Sequence, residues 1–314
     1  MSRIEKALEE ALKLREEKKE VARPAPPPIP SVVASVRERE PLVVGTRKHE
    51  FPEVQAVYDQ SAASPFLVSI HQSRSVYAEH YRKIRSSLLS KTRQGQGSTI
   101  LLTSSIMGEG KTITSLNLAV AMAKGVDHTV LLVDADLRRP SVLRYLGIES
   151  GRGLSDYLAD ESLDLSELLI KTGIGKLVLL PAGTPMENPS ELVTSIRMKE
   201  LIAELKRRYH DRYIIFDAGP LLLSAECATL ASWVDGVLFV VQEGRIQQKT
   251  VQQGFELIKD CNIYGVVMNN VNRFAMPAAK LASYGYEYGY GYGASHNGVG
   301  AGSVGGDDGN VESE

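Results

Sequence analysis

Short, continuous apolar runs alternate along this chain with segments whose apolar residues recur at helical spacing. The runs are Ile100–Leu102, Thr129–Val133, Leu177–Leu180, Tyr213–Phe216, Gly236–Val241 and Ile263–Met268. The helical segments start at Lys111 and cover Gly153–Ala159, Pro189–Tyr209, Cys227–Trp233 and Ile246–Lys259. In Pro189–Tyr209 the apolar positions are Leu192, Ile196, Leu201, Ile202 and Leu205. Strands buried on both faces read as unbroken apolar runs, and helical crossovers join parallel neighbours. The pattern therefore predicts an α/β fold, a doubly wound and mostly parallel sheet with helices on both faces.

The flanks read differently. Residues 2–20 place Ile4, Ala7, Leu8, Ala11 and Leu12 on one helical face. This is either a solvated helix or a docking helix. Residues 21–41 hold Pro24, Pro26, Pro27, Pro28, Pro30 and Pro41, which fix φ and remove donors, so an extended linker is expected. Residues 42–70 lack a period and read as irregular. Ser75–Ser90 returns to helix, with Tyr77, Tyr81, Ile84 and Leu88 as its apolar stripe. Glu79, Arg82 and Arg85 climb one side of it, as a solvent face or as an oligomer contact between carboxylate and guanidinium. Beyond Pro277 the chain turns to Gly, Ser and tyrosines, with nothing to bury. The boundaries expected are an N-terminal helix (1–20), a linker (21–70), a folded domain (71–273, its helix within 71–95) and a flexible tail (274–314).

Composition changes this picture little. The 314 residues carry a net charge of −2, which offers no argument for nucleic acid. Cys227 and Cys261 lie in apolar surroundings without paired spacing, which points to buried thiols in a reducing compartment. No run reaches the roughly 18–20 apolar residues of a membrane span, so a cytoplasmic protein is expected.

The candidate chemistry lies between Thr99 and Ala119, TILLTSSIMGEGKTITSLNLA. A strand, a loop of small residues, then Gly110-Lys111-Thr112 opening a helix form the arrangement of a P-loop. Gly108 and Gly110 let backbone N–H groups turn toward phosphate oxygens. Lys111 brings a cation to the β/γ-phosphates, and the Thr112 hydroxyl can ligate Mg²⁺. Ser105 stands where the motif usually has its first glycine. Asp134, Asp136 and Asp217 fall at the carboxyl ends of strands, where doubly wound sheets bind ligands. Lys111, Thr112, Asp217 and one of Asp134 or Asp136 would supply the parts of phosphoryl transfer.

VLLVDADLRRPS (130–141) is similar to the second Walker motif of bacterial tyrosine autokinases, and YIIFDAGPL (213–221) to their Walker B segment. PAGTPMENPSEL (181–192) resembles their PAG…NPSEL stretch, GEGKT followed by NLA fits their P-loop, and Glu79, Arg82 and Arg85 match their ring-forming E-x-x-R-x-x-R helix. Tyr284, Tyr286, Tyr288, Tyr290 and Tyr292 match their tyrosine cluster in kind and place. The resemblance covers about residues 70–292, and the SRIEKALE start further resembles the members tied to exosortase-type exopolysaccharide loci. Met107 replaces the family's Pro before GEGK, and Asp217-Ala-Gly-Pro replaces Asp-x-Pro-Pro.

The resemblance implies an ATP-dependent tyrosine autokinase that regulates exopolysaccharide assembly. It implies that Ser105, Gly108, Glu109, Gly110 and Lys111 hold ATP, and that Thr112, Asp136 and Asp217 hold Mg²⁺ directly or through water. Asp134 becomes the base for the tyrosine proton. Asn269 or Asn270 contacts adenine or serves a turn. The five tail tyrosines become acceptors for a neighbouring subunit in a ring or dimer. A membrane-spanning polysaccharide chain-length regulator is implied as activator, acting through the region before Ser75, which would place the kinase peripherally at the inner membrane. A tyrosine phosphatase is implied as the opposing partner. The competing reading is a partition-type switch ATPase, but the signature lysine of that class would fall at Ile106. A scaffold that binds nucleotide only structurally is a third.

Overall fold

The computed structural model describes residues 61–92, 97–125, 129–149, 151–208 and 212–271. The expected helix at 2–20, the proline-rich linker and the tyrosine cluster lie outside these residues. The described elements are α1 (Val68–His71), α2 (Val76–Lys91), β1 (Ser98–Ser104), α3 (Lys111–Ala123), β2 (Thr129–Asp134), α4 (Val142–Leu146) and α5 (Leu154–Ala159). There follow β3 (Ile170–Lys171), β4 (Leu177–Leu180), α6 (Pro189–Val193), α7 (Ile196–Arg208) and β5 (Arg212–Asp217). The last are α8 (Ala225–Trp233), β6 (Gly236–Gln242), α9 (Gln248–Leu257) and β7 (Ile263–Asn269).

Seven strands form one sheet in the order β3-β4-β2-β5-β1-β6-β7. All pairs are parallel except β3 with β4. Alternation along β1 sends Ile100 and Leu102 to one face and Leu101 to the other. The first face packs Leu116, Leu118, Val120 and Met122 of α3 and Leu88 of α2. The second packs Met198, Leu201, Ile202 and Leu205 of α7 with Leu230 of α8 and Val251 of α9. Each central strand is buried on both sides, which is why its sequence shows no alternation.

Four expectations change. The helix expected over Pro189–Tyr209 is broken at Thr194 and Ser195, because the Ser195 hydroxyl accepts from Met198 N at 3.1 Å and caps a new helix. The stretch before residue 71, expected to be irregular, contains α1 and the fully buried Leu67. Asn117 holds it to α3, accepting from Ser69 N at 2.8 Å and donating to Phe66 O at 3.0 Å. In α2 the packed stripe is Ala78, Tyr81, Ile84 and Leu88, and Tyr77 is exposed instead. Strand β3 and helix α4 were not expected; α4 ends on the left-handed Gly147, whose N–H reaches Arg144 O.

Candidate active site

Strand β1 ends at Ser104, and the next six residues turn back over the sheet edge before Lys111 opens α3. Gly108 and Gly110 carry φ of 80° and 89°, the left-handed region where a side chain is strained. A Cβ on Gly110 would run into the Asn269 carboxamide. The loop is braced from within. Glu109 is fully buried and accepts from Ile106 N at 3.0 Å and from Gln242 N, at the end of β6, at 3.3 Å. Asn269, at the end of β7, donates to Glu109 O at 2.9 Å.

Strands β2 and β5 bring the carboxylates to this loop. Parallel pairing sets Asp134 directly beside Asp217. Asp134 Oδ2 accepts from Ser141 N and Val142 N, both at 3.0 Å. Asp217 Oδ1 accepts from Ser115 Oγ at 2.8 Å. Asp136 Oδ2 accepts from Lys111 Nζ at 2.9 Å, and its Oδ1 accepts from Arg139 N at 3.2 Å. The Thr112 hydroxyl lies 3.4 Å from Ser141 Oγ.

The electrostatics follow from burial. Asp134 is pushed up to about 8, by burial first and then by the charge of Asp217. Burial also raises Asp217, against the opposing charge of Lys111. Burial alone would lower Lys111, but Asp217, Asp136 and Asp134 together carry it above the ordinary lysine value. Burial likewise raises Glu109. Asp134 Oδ1 and Asp217 Oδ2 are buried and have no hydrogen-bond partner among the described residues. Unpaired buried carboxylate oxygens beside a threonine hydroxyl suit a hard cation with oxygen ligands, and the glycine loop with Lys111 suits phosphate. The residues present therefore fit both a nucleotide and Mg²⁺.

Comparison with known proteins agrees with this chemistry. A family model described as an AAA domain matches residues 98–270. The tyrosine-protein kinase YwqD of Bacillus subtilis is 31% identical over 222 residues, covering 70% of this chain and 90% of that protein. The tyrosine-protein kinase CpsD of Streptococcus agalactiae is 30% identical over 211 residues, 66% of this chain and 89% of its own. The chain belongs to the bacterial tyrosine kinases. The solved kinase domain of Escherichia coli tyrosine kinase ETK superposes with a TM-score of 0.63 at 27% identity, over 74% of this chain and 87% of that one. The enzyme is thus a protein-tyrosine kinase with a P-loop nucleotide site.

The structure of this bacterial tyrosine kinase brings Lys111, Thr112, Asp134, Asp136 and Asp217 together with Gly108 and Gly110, as their spacing predicts. Two expected nucleotide contacts turn elsewhere. The Glu109 side chain is spent on Ile106 N and on Gln242 N of β6, and Asn269 is spent on the loop backbone. Ser105 is buried, and its carbonyl accepts from Leu222 N at 3.1 Å. Asn270 is exposed, with a positive φ of 54°. In α2, Arg82 pairs with Glu79 at 2.6 Å on its own helix, while Arg85 donates to Ala121 O at 2.8 Å. The PAG stretch is stitched to α5 by Leu154 N to Pro181 O and Ser155 N to Ala182 O. Its Ser190 receives Arg138, which also bridges to Glu226 at 2.9 Å.

Sequence reasoning missed Ser115, Ser141 and Arg245. Ser115 carried a signal, as a small polar residue on a helix face that is otherwise apolar. Ser141 acts mainly through its backbone, and Arg245 reaches Met107 O at 3.4 Å across 138 positions, so neither leaves a local pattern.

Proposed function

We propose that this kinase phosphorylates the tail tyrosines Tyr284, Tyr286, Tyr288, Tyr290 and Tyr292 of a neighbouring copy and thereby regulates exopolysaccharide assembly. The observation that carries the chemistry is the convergence of Lys111 with three buried carboxylates at the carboxyl ends of the central strands. Lys111 and the backbone of Gly108–Gly110 bind the ATP phosphates. Thr112 and Asp217, with Asp136 once Lys111 turns from it to the phosphates, would hold Mg²⁺, which when bound would neutralise phosphate charge. Asp134, held up to about 8 by burial and by the charge of Asp217, would give up its own proton once a cation beside Asp217 offsets that charge, and it then takes the proton of the acceptor tyrosine, whose hydroxyl titrates near 10 when free. The phenolic oxygen forms the new bond to the γ-phosphorus as the bond to the β-bridging oxygen breaks, and ADP leaves. Asn270 remains a candidate for the adenine contact.

Residues Glu79, Arg82 and Arg85 are the assembly contacts in this reading. The Glu79–Arg82 pair would have to reopen to serve a neighbour, and Arg85 would have to leave Ala121. The activator is a membrane-spanning chain-length regulator that recruits the kinase to the inner membrane, and a tyrosine phosphatase resets it. Among the described residues no helix is long and apolar enough to cross a membrane. The relatives' name as tyrosine-protein kinases supports the reaction; the pathway rests on the sequence resemblance.

The test is peptide mapping after incubation with ATP and Mg²⁺. The parent is expected to gain phosphate on the tail, and Lys111→Ala is not. Lys111→Ala mixed with a parent whose five tail tyrosines are phenylalanine should gain phosphate on its own tail. Steady ADP release without phosphotyrosine would favour the switch ATPase.

A further inference from the structure

Glu109 is an odd residue to find in a phosphate-binding loop. A carboxylate there opposes the nucleotide's charge, so it needs another reason for its place. Its side chain is fully buried, and each oxygen is used: Oε2 accepts from Ile106 N at 3.0 Å, Oε1 from Gln242 N at 3.3 Å. One contact closes the loop on itself. The other ties the loop to the end of β6, 133 positions away. The Glu109 carbonyl is held in turn by Asn269 of β7 at 2.9 Å. The flanking glycines, Gly108 and Gly110, have no side chain to set their φ, so the loop's shape must be imposed from outside. A carboxylate accepting one N–H from the loop and one from the end of β6 does this, and it takes only the Ile106 amide from the loop.

We propose that Glu109 is a positioning residue that, with Asn269, clamps the P-loop to the ends of β6 and β7 and so sets its affinity for polyphosphate. The proposal deepens the nucleotide reading of this site and rests on it. Asn269 then acts on the loop and not on the base. A clamp on the loop serves ground state and transition state alike, so its loss raises Kd and KM for ATP and leaves kcat nearly intact.

The test uses the full chain with Mg²⁺ and two probes, ATP and inorganic tripolyphosphate, each competed against a fluorescent ADP analogue. Glu109→Gln keeps one acceptor and should weaken both probes about tenfold. Glu109→Ala keeps none and should weaken them further, and Asn269→Asp, which loses the donor, should weaken both in equal ratio. Phosphotyrosine formation at saturating ATP should stay within about threefold of the parent for Glu109→Gln. A melting curve like the parent's separates the clamp from general unfolding, and if the Glu109 variants do not fold, Asn269→Asp carries the test. Parent-like affinities in all three variants overturn the clamp. Loss of phosphorylation at saturating ATP with unchanged Kd overturns it too, making Glu109 a chemical participant. If Asn269→Asp weakens ATP but spares tripolyphosphate, Asn269 reads the base and the clamp fails there. A parent that binds neither probe would instead sink the nucleotide reading itself.

Discussion

Ser115 Oγ has one proton to donate and two acceptors in reach, Lys111 O at 2.9 Å and Asp217 Oδ1 at 2.8 Å. The carboxylate is the stronger acceptor, so the proton goes there. The bond leaves Asp217 Oδ2 as its free oxygen and fixes where it points. If Asp217 holds Mg²⁺ as proposed, Ser115→Ala is expected to cut phosphotyrosine formation about tenfold, the effect of losing an outer partner of a metal ligand. The check is a kcat measurement beside a melting curve, with the melting temperature expected to move by only a few degrees. At this scale much was readable in advance. The three aspartates announce themselves because charge at the end of an apolar strand is conspicuous, and Lys111 and Thr112 because they open a helix directly after a glycine loop. Glu109 and Asn269 could be placed near the loop from sequence, but the contacts that tie the loop to β6 and β7 could not be assigned, because they span 133 and 160 positions.

Elements were legible where they were long and of one period. The six apolar runs became six strands, while β3, with two residues, is too short to show a period. The break before α7 was hidden because Thr194 and Ser195 interrupt an otherwise helical pattern with residues that also tolerate helices, and only the Ser195 cap decides. The packed stripe of α2 runs through Ala78 and not Tyr77, and because both lie within one turn of Tyr81 the helical period alone does not separate them. Two predictions belong here. Asn117→Ala leaves the Ser69 N–H and Phe66 C=O without their partner, which should cost about 1–3 kcal/mol for the buried Ser69 N–H and less for the partly buried Phe66 carbonyl. Hydrogen exchange across residues 61–71 should then accelerate while the sheet stays protected.

The second concerns Asp235, at the entry to β6. It accepts from Thr99 N and Thr99 Oγ1, both at 2.8 Å, and pairs with Lys206 at 2.8 Å. Burial pulls its carboxyl up, but the Lys206 and Thr99 contacts outweigh it and leave it below the ordinary carboxylate value. A depressed carboxyl stabilises the fold above the unfolded-state pKa of about 4 and loses that contribution as pH falls through the folded value. Asp235→Asn should be less stable than the parent at pH 7, by about 1 kcal/mol for the weakened contacts. The difference between the two urea midpoints should shrink as pH is lowered below about 4.

For the whole molecule, the strand order decides where charge collects. Strand β5 lies between β2 and β1, so one register brings Asp134, Asp217 and the P-loop together at the carboxyl ends of three central strands. Strands stand about 4.8 Å apart, and two buried carboxylates side by side at that spacing repel. The core on both faces of the sheet holds them there. Folding is therefore completed against the working site, and the most robust version of this sheet is not the active one. Asp134→Asn is expected to melt about 5 °C above the parent while losing phosphotyrosine formation, a gain read by calorimetry. Magnesium and nucleotide together should raise the parent's melting temperature more than the variant's. The kinase in that case has a shelf life set by its ligands: starved of nucleotide and cation it is at its most perishable, and a cell that runs short of either would thin out its own kinase.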